Sequence, residues 1–380
     1  MKIESKRFVQ TRREFLTTSA GLALATTAAG MPANGAERRN LRLNAPLRVD
    51  AAKPRRIIID TDPGVDDAMA IFLALRSPEL KVEAITPVSG NVPLELTLPN
   101  ALRLVEIAGR EDVPVAPGAS LPLVRRLVTA KYAHGKNGLG GVDFPAPRLK
   151  PAAETATEMI RRLVRGNPGE ITIVAIGPLT NIATVLRSDP EIAGMIPAIV
   201  IMGGSLSRGN ITPAAEFNLY VDPEAARIVF DAGVPLTMVG LDVTEKVLLT
   251  EAHAQKLEAA KNPVSQAAAK IMRATIDRMR QENFGAAVAM HDPLTVASLL
   301  DPNLLTFTEY AVEIETEGEF TAGMTVGYTH PPVRGSAPMA LAGPEQEEPG
   351  LPFHPNARVA TGVEPDRFFD LLIPRLTQAG

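Results

Sequence analysis

The sequence predicts an α/β protein: an open, mostly parallel, doubly wound sheet with helices on both faces, in a single domain. Three observations predict it. Short apolar runs such as Ile57–Ile59, ITIVAI from 171 and AIVIM from 198 are continuous rather than alternating, as strands buried on both faces must be. Amphipathic stretches at helical spacing separate these runs, so strand and helix alternate along the chain. The unusual polar residues gather where a strand gives way to a helix, and in a parallel sheet those crossings share one edge.

Size and composition narrow the possibilities. A chain of 380 residues, 45% hydrophobic and without an internal repeat, can bury one large core. Net charge is −4 with no basic run in the body of the chain, which argues against a nucleic-acid partner. The absence of Cys excludes disulfides, thiol catalysis and thiolate metal sites together.

Residues 1–36 read as an export segment rather than as fold. Lys2, Lys6, Arg7, Arg12 and Arg13 outnumber Glu4 and Glu14, and Thr11-Arg12-Arg13-Glu14-Phe15-Leu16 precedes a short, mildly apolar run rich in Ala and Gly. That is the layout of a twin-arginine signal, with cleavage expected near Ala29 or Ala36 and a periplasmic destination. The apolar part is too short for a lasting membrane anchor. A disordered start with a chance arginine pair is the plainer alternative. Residues 37–54 are polar and irregular, a linker into a domain spanning 55–380.

The elements follow in order. RRIIIDT is the first strand, Pro63-Gly64 its turn, and residues 65–76 the first helix. KVEAITP is a second strand ending in Ser89-Gly90-Asn91, and PNALRLVEIAGR a helix stopped by Gly109. DVPVAPGA predicts a short third strand. Residues 131–144, KYAHGKNGLGGVDF, hold four glycines and no periodicity, so they predict a loop. A helix over 152–165 leads to a strand that runs through Gly177-Pro178-Leu179-Thr180-Asn181 into another helix. AIVIMGG is a strand, SLSRGNITPAAEFNLY a long loop, and Asp222-Pro223-Glu224 a helix start. VPLTMVGLDVT is a strand, 250–280 is helical, His291-Asp292-Pro293 opens one more helix, and TEYAVEIETEGEFTAGMTVGYT alternates like an antiparallel pair. Residues 329–355, rich in Pro and Gly, predict a surface insertion, and EPDRFFDLLIPRL a closing helix.

The first strand-to-helix crossing carries the strongest chemical signal. Asp60, Asp62, Asp66 and Asp67 fall within eight positions, and carboxylates this close repel unless a cation lies among them. Hard oxygen donors suit Ca²⁺ or Mg²⁺. Asp66 and Asp67 alone would equally complement the positive end of a helix dipole. Asn91, Thr180-Asn181, the Asn210/Glu216/Asn218 loop and His291-Asp292 occupy other crossings at the same expected edge. Each has a bland alternative: Asn210 and Asn218 as turn formers, Glu216 as a surface acid, His291 as a core histidine.

DTDPGVDDA at 60–68, followed in order by SGNVPLE, AHGKNGLGG, GPLTNIA, IMGG, GNITPAAEFNLYVDPEAA and HDP, resembles the inosine-uridine preferring nucleoside hydrolases over most of residues 55–375. The resemblance implies hydrolysis of the N-glycosidic bond of ribonucleosides. It further implies a Ca²⁺ held by Asp62, Asp67, Asp292 and the main-chain carbonyl of Thr180, with Asp62 as general base and Asn91 orienting water or a ribose hydroxyl. Asp66, Asn91, Met202, Asn210, Glu216, Phe217, Asn218 and Asp292 are implied to hold the sugar, while His134 or His291 protonates the leaving base. A homo-oligomer is expected too. The 329–355 insertion is longer and more Pro-rich than this pattern, and the absence of Trp argues against stacking of purines between tryptophans. Two other functions compete. Asp60-Thr61-Asp62 after a buried strand would suit a phosphatase of the haloacid-dehalogenase type, although no convincing downstream lysine follows. The same pocket would serve a non-catalytic, exported nucleoside- or ribose-binding protein.

Overall fold

Every other residue of the first strand, β1 (Arg55–Thr61), belongs to a different core, and that alternation sets the architecture. Ile57 and Ile59 enter one apolar cluster, Ile58 the other, and all three are fully buried. The computed structural model describes residues 53–330 and 354–379, which belong to one compact unit. The expected export segment 1–36, most of the linker 37–54 and most of the 329–355 insertion lie outside the described residues.

After β1 come α1 (Val65–Leu75), β2 (Leu80–Pro87), α2 (Leu94–Ile107), α3 (Lys131–His134), α4 (Ala156–Gly166), β3 (Ile171–Ala175), α5 (Thr180–Ser188) and β4 (Ile199–Met202). The chain continues through α6 (Phe217–Val221), α7 (Pro223–Asp231), β5 (Leu236–Val239), α8 (Leu241–Thr244), β6 (Leu248–Thr250), α9 (Glu251–Ala259), α10 (Pro263–Gln281), β7 (Ala287–Ala289) and α11 (His291–Ala297). It closes with β8 (Leu305–Ile314), β9 (Thr325–Tyr328), β10 (Ala357–Val363) and α12 (Pro365–Thr377).

Eight strands form one sheet in the order β2-β1-β3-β4-β5-β10-β8-β9, with β6 and β7 paired separately. From β2 to β10 the pairings are parallel; β8 and β9 add antiparallel to one edge. One face is covered by α1, α2 and α9–α12, the other by α4, α5 and α7. The doubly wound expectation holds. All eleven residues of α1 are buried, because it is sandwiched between the sheet and α10 and α11. Among the described residues no helix is long and apolar enough to cross a membrane.

Four local expectations are corrected. DVPVAPGA makes only a single parallel bridge, Val115 to Ile85, because prolines at 114 and 117 remove the donors a ladder needs. The helical stretch 250–280 breaks at Asn262-Pro263, where the Asn262 side chain accepts from the Ser265 amide and caps a new helix. The glycine-rich loop opens with a helical turn, α3. Finally, ARVATGV, unassigned from sequence, is β10, which slots between β5 and β8.

Candidate functional site

Because β1 to β5 run parallel, their carboxyl ends lie along one edge, and the polar residues that follow them converge there. The acidic crossing is pinned by hydrogen bonds. Asp67 Oδ1 accepts from Thr61 Oγ1 at 2.5 Å, and its Oδ2 from the Gly64 amide at 2.8 Å and Asn91 Nδ2 at 3.0 Å. Asp62 Oδ2 accepts from the Asn91 amide at 2.6 Å, whereas its Oδ1 is buried without a partner. Asp66 Oδ2 takes the Asp292 amide at 3.4 Å, which ties the start of α1 to the start of α11 across 226 positions.

Glycine makes room for Asp62. A Cβ on Gly90 would stand 2.0 Å from Asp62 Oδ2, and one on Gly177 2.6 Å from Oδ1, so side chains at either position would displace the carboxylate. The crossings after β2 and β3 thus form a slot around one acid.

Electrostatics mark the four as a cluster. Burial is the main cause raising all four carboxyls: Asp66 and Asp67 to about 6, Asp62 and Asp292 well above the usual range. Mutual repulsion adds to burial, from Asp67 and Asp66 on Asp62, and from Asp66, Asp67 and Asp62 on Asp292. Buried like charges with an unpartnered oxygen among them fit a divalent cation, and the all-carboxylate character favours the Ca²⁺/Mg²⁺ class. Asp66, Asp67 and His134 also each offer a ligand atom within 4.8 Å of one another. His134 Nδ1 already accepts from the Val65 amide at 3.1 Å, so the imidazole borders the carboxylate cluster.

Two residues depart from expectation. Asp60 shares the motif but faces away: its Oδ2 accepts from Thr86 Oγ1 at 2.6 Å and Asn181 Nδ2 at 2.8 Å, and burial lifts its carboxyl to about 7. It braces the strand ends, which removes the proposed phosphatase nucleophile. Thr180 is committed elsewhere too. As the first residue of α5 its carbonyl runs along the helix and accepts from Thr184 Oγ1 at 2.7 Å, while its own hydroxyl donates to Asp222 at 2.7 Å. The Ile176 carbonyl, which precedes Gly177, accepts from Asn218 Nδ2 at 3.3 Å.

The long loop after β4 supplies the next wall. Glu216 caps α6, accepting from the amides of Asn218 at 2.8 Å, Gly204 at 3.0 Å and Leu219 at 3.2 Å, yet its burial still lifts the carboxyl to about 7. Asn218 Nδ2 also donates to the Met202 carbonyl at 3.1 Å, bridging the ends of β3 and β4. Asn210 is exposed, and its Oδ1 accepts the Phe217 amide at 2.9 Å. Phe217 packs with Ala130 and Val221 in a satellite cluster that also touches Ala133, so its ring buttresses the histidine-bearing turn.

Beside the acids stand two half-buried histidines. With Nδ1 accepting, the neutral His134 ring carries its proton on Nε2. Burial, then the neighbouring His291 and Arg278, lower its pKa to about 3. His291 Nδ1 pairs with Thr244 Oγ1 at 2.7 Å, and burial lowers its pKa to about 4. Burial thus favours the neutral form of both rings.

Comparisons with known proteins identify relatives of this chain. Residues 57–370 match the model of a family described as inosine-uridine preferring nucleoside hydrolase. The pyrimidine-specific ribonucleoside hydrolases RihA of Citrobacter koseri and Salmonella agona are each 44% identical over 321 residues, covering 84% of this chain and 97% of theirs. Among solved structures, a plant nucleoside hydrolase, PpNRh1, aligns with a TM-score of 0.76 at 36% identity, covering 86% of this chain and all of that one. A purine-preferring ribonucleoside hydrolase from Gardnerella vaginalis aligns with a TM-score of 0.75 at 33% identity, covering 85% and 98%. With the acidic crossing, the capped loop and the paired histidines on one sheet edge, the chain belongs to the inosine-uridine preferring nucleoside hydrolase family.

Proposed function

We propose that this chain hydrolyses the N-glycosidic bond of ribonucleosides to free base and ribose, with Asp62, Asp67, Asp292 and the Ile176 carbonyl holding one Ca²⁺. The observation that carries the reading is the buried, unpartnered Oδ1 of Asp62 among three other raised carboxyls. A bound Ca²⁺ supplies the positive charge that keeps these carboxylates ionised and makes a nearby water more acidic.

The protein's own groups divide the remaining work. Asp62, fixed by the Asn91 amide and the two flanking glycines, accepts the water proton as general base. The bond breaks with positive charge developing on the ribose, and the surrounding acids stabilise that charge more than they stabilise the bound substrate. Asp66 accepts from a ribose hydroxyl. Asn218 and Glu216 hold the sugar from the β4 side beside Met202, and Asn91 orients the water. His134, through its Nε2–H, or His291 donates a hydrogen bond to the departing base and stabilises the charge it gains.

The identity with the RihA proteins supports pyrimidine ribonucleosides as the favoured substrates, in keeping with a chain that has no Trp. The twin-arginine layout at Arg12-Arg13 supports export of the folded enzyme and action on external nucleosides. Base release from a panel of ribonucleosides and 2′-deoxyribonucleosides, with and without a chelator, tests the reading. It predicts chelator-sensitive release from ribonucleosides, uridine and cytidine ahead of inosine. Release that is indifferent to chelation, or equal on ribosides and deoxyribosides, would overturn it.

A further inference from the structure

The residues on either side of His134 are clasped by one side chain from a distant helix. Arg278, in the last turn of α10, donates through Nη2 to the carbonyl of Ala133. Its Nη1 lies 3.1 Å from where a Cβ on Gly135 would stand, and Gly135 itself sits at φ +76°, a conformation that side chains disfavour. The guanidinium therefore spans the backbone immediately before and after the base-side histidine.

The clasp is kept against its own desolvation. Arg278 Nε and Nη1 are buried without an acceptor, and burial lowers the guanidinium pKa, although an arginine stays charged. Packing alone does not require the charge: α10 is anchored by Val264, Ala267, Ala268, Ile271, Met272 and Ile276, all on its buried side. Both nitrogens are sealed from solvent. What the charge does is hold the Ala133 carbonyl, while on the other side of the ring Val65 holds Nδ1. Together the two contacts fix the direction in which His134 presents Nε2–H.

We propose that Arg278 is a positioning residue for departure of the base, acting through the backbone of the His134 turn. This rests on the reading that His134 serves the leaving base. A merely structural role would slow every substrate alike; a role in leaving-group departure shows only where the leaving group needs a hydrogen-bond donor.

The test compares kcat and KM on uridine with those on 4-nitrophenyl β-D-ribofuranoside, whose phenolate leaves unaided, for Arg278→Met, Arg278→Lys, His134→Ala and Arg278→Met combined with His134→Ala. Arg278→Met should lower kcat on uridine by roughly 10- to 100-fold, a share of what general acid help contributes, with KM little changed. Its kcat on the nitrophenyl riboside should stay within about twofold of the parent, and in the His134→Ala background it should add no more than about twofold on uridine. Arg278→Lys, which keeps a cation near the Ala133 carbonyl, should recover part of the uridine rate. Equal losses on both substrates, no loss on uridine, or additive losses in the double variant would overturn the proposal. If His134→Ala separates the two substrates and Arg278→Met does not, only Arg278 is misassigned. If His134→Ala fails to separate them, the reading of His134 falls and the proposal with it.

Discussion

The sugar side and the base side of the pocket are built differently. Asp62, Asn91 and Ile176 stand just past the ends of adjacent parallel strands, Asp67 in the first turn of α1 and Asn218 in α6, and their hydrogen bonds tie these strand ends together. The base side borrows its parts: His134 from a glycine-rich loop, His291 from the start of α11, and Arg278 from the far end of α10. The sheet fixes the first set by ladder geometry, while the second depends on a few cross-contacts between a loop and helices. Rigid strand ends suit the groups that must hold charge and water in register, and loops suit the part that has to admit different bases.

Breaking the sugar side should cost most. Asp62→Asn keeps the shape of the slot but removes the base, and we expect kcat to fall by ~10²–10⁴, measured as uracil release under saturating uridine. A rate near that of the parent would refute the general-base assignment. Asn218→Ala uncouples the β3 and β4 ends and leaves the Ile176 and Met202 carbonyls without their donor; a loss in kcat/KM of about tenfold to a hundredfold is expected, as for a buried hydrogen bond removed. Asn210→Ala sharpens the contrast. Its oxygen holds only a loop amide and the residue is exposed, so kcat/KM should change less than about fivefold, and a loss equal to that of Asn218→Ala would restore Asn210 as a direct sugar contact.

A pH experiment separates the acids from everything around them. Burial raises Asp66 and Asp67 from 3.8 to about 6, so in the metal-free protein the folded state binds protons more tightly than the unfolded chain does. Their contribution to stability is therefore complete at low pH and is lost as pH rises through about 6. Thermal melts in chelator should show Tm falling between pH 5 and 7, and excess Ca²⁺ should abolish that fall and raise Tm most at the higher pH. A metal-free Tm that rises over this interval would mean that burial does not in fact raise these carboxyls.

The sheet and the acidic crossing were legible in the sequence because both are written in side chains. Ile57–Ile59 can only be a doubly buried strand beside helices, and DTDPGVDD puts its acids directly after it. What stayed hidden has physical reasons. Asp60 looks like its neighbours, and only the alternation of the strand turns it back toward Thr86 and Asn181. A main-chain oxygen such as that of Ile176 leaves no trace in residue type, whereas the polar Thr180 four positions on stands out. β10 follows a Pro-rich stretch and pairs with β5, more than 100 positions earlier, so nothing local announces it. Arg278 lies on a helix whose other residues read simply as amphipathic, and its role depends on a loop well over a hundred residues upstream.

Calorimetric titration of Ca²⁺ into the metal-free protein near pH 6, repeated in buffers of different ionisation enthalpy, tests the central claim most directly. One ion should bind per chain with net release of protons to the buffer, since it displaces those held by the raised carboxyls, and Asp67→Asn or Asp292→Asn should weaken binding at least tenfold. Absence of binding, or binding that releases no proton and survives both substitutions, would contradict a cation held by these acids.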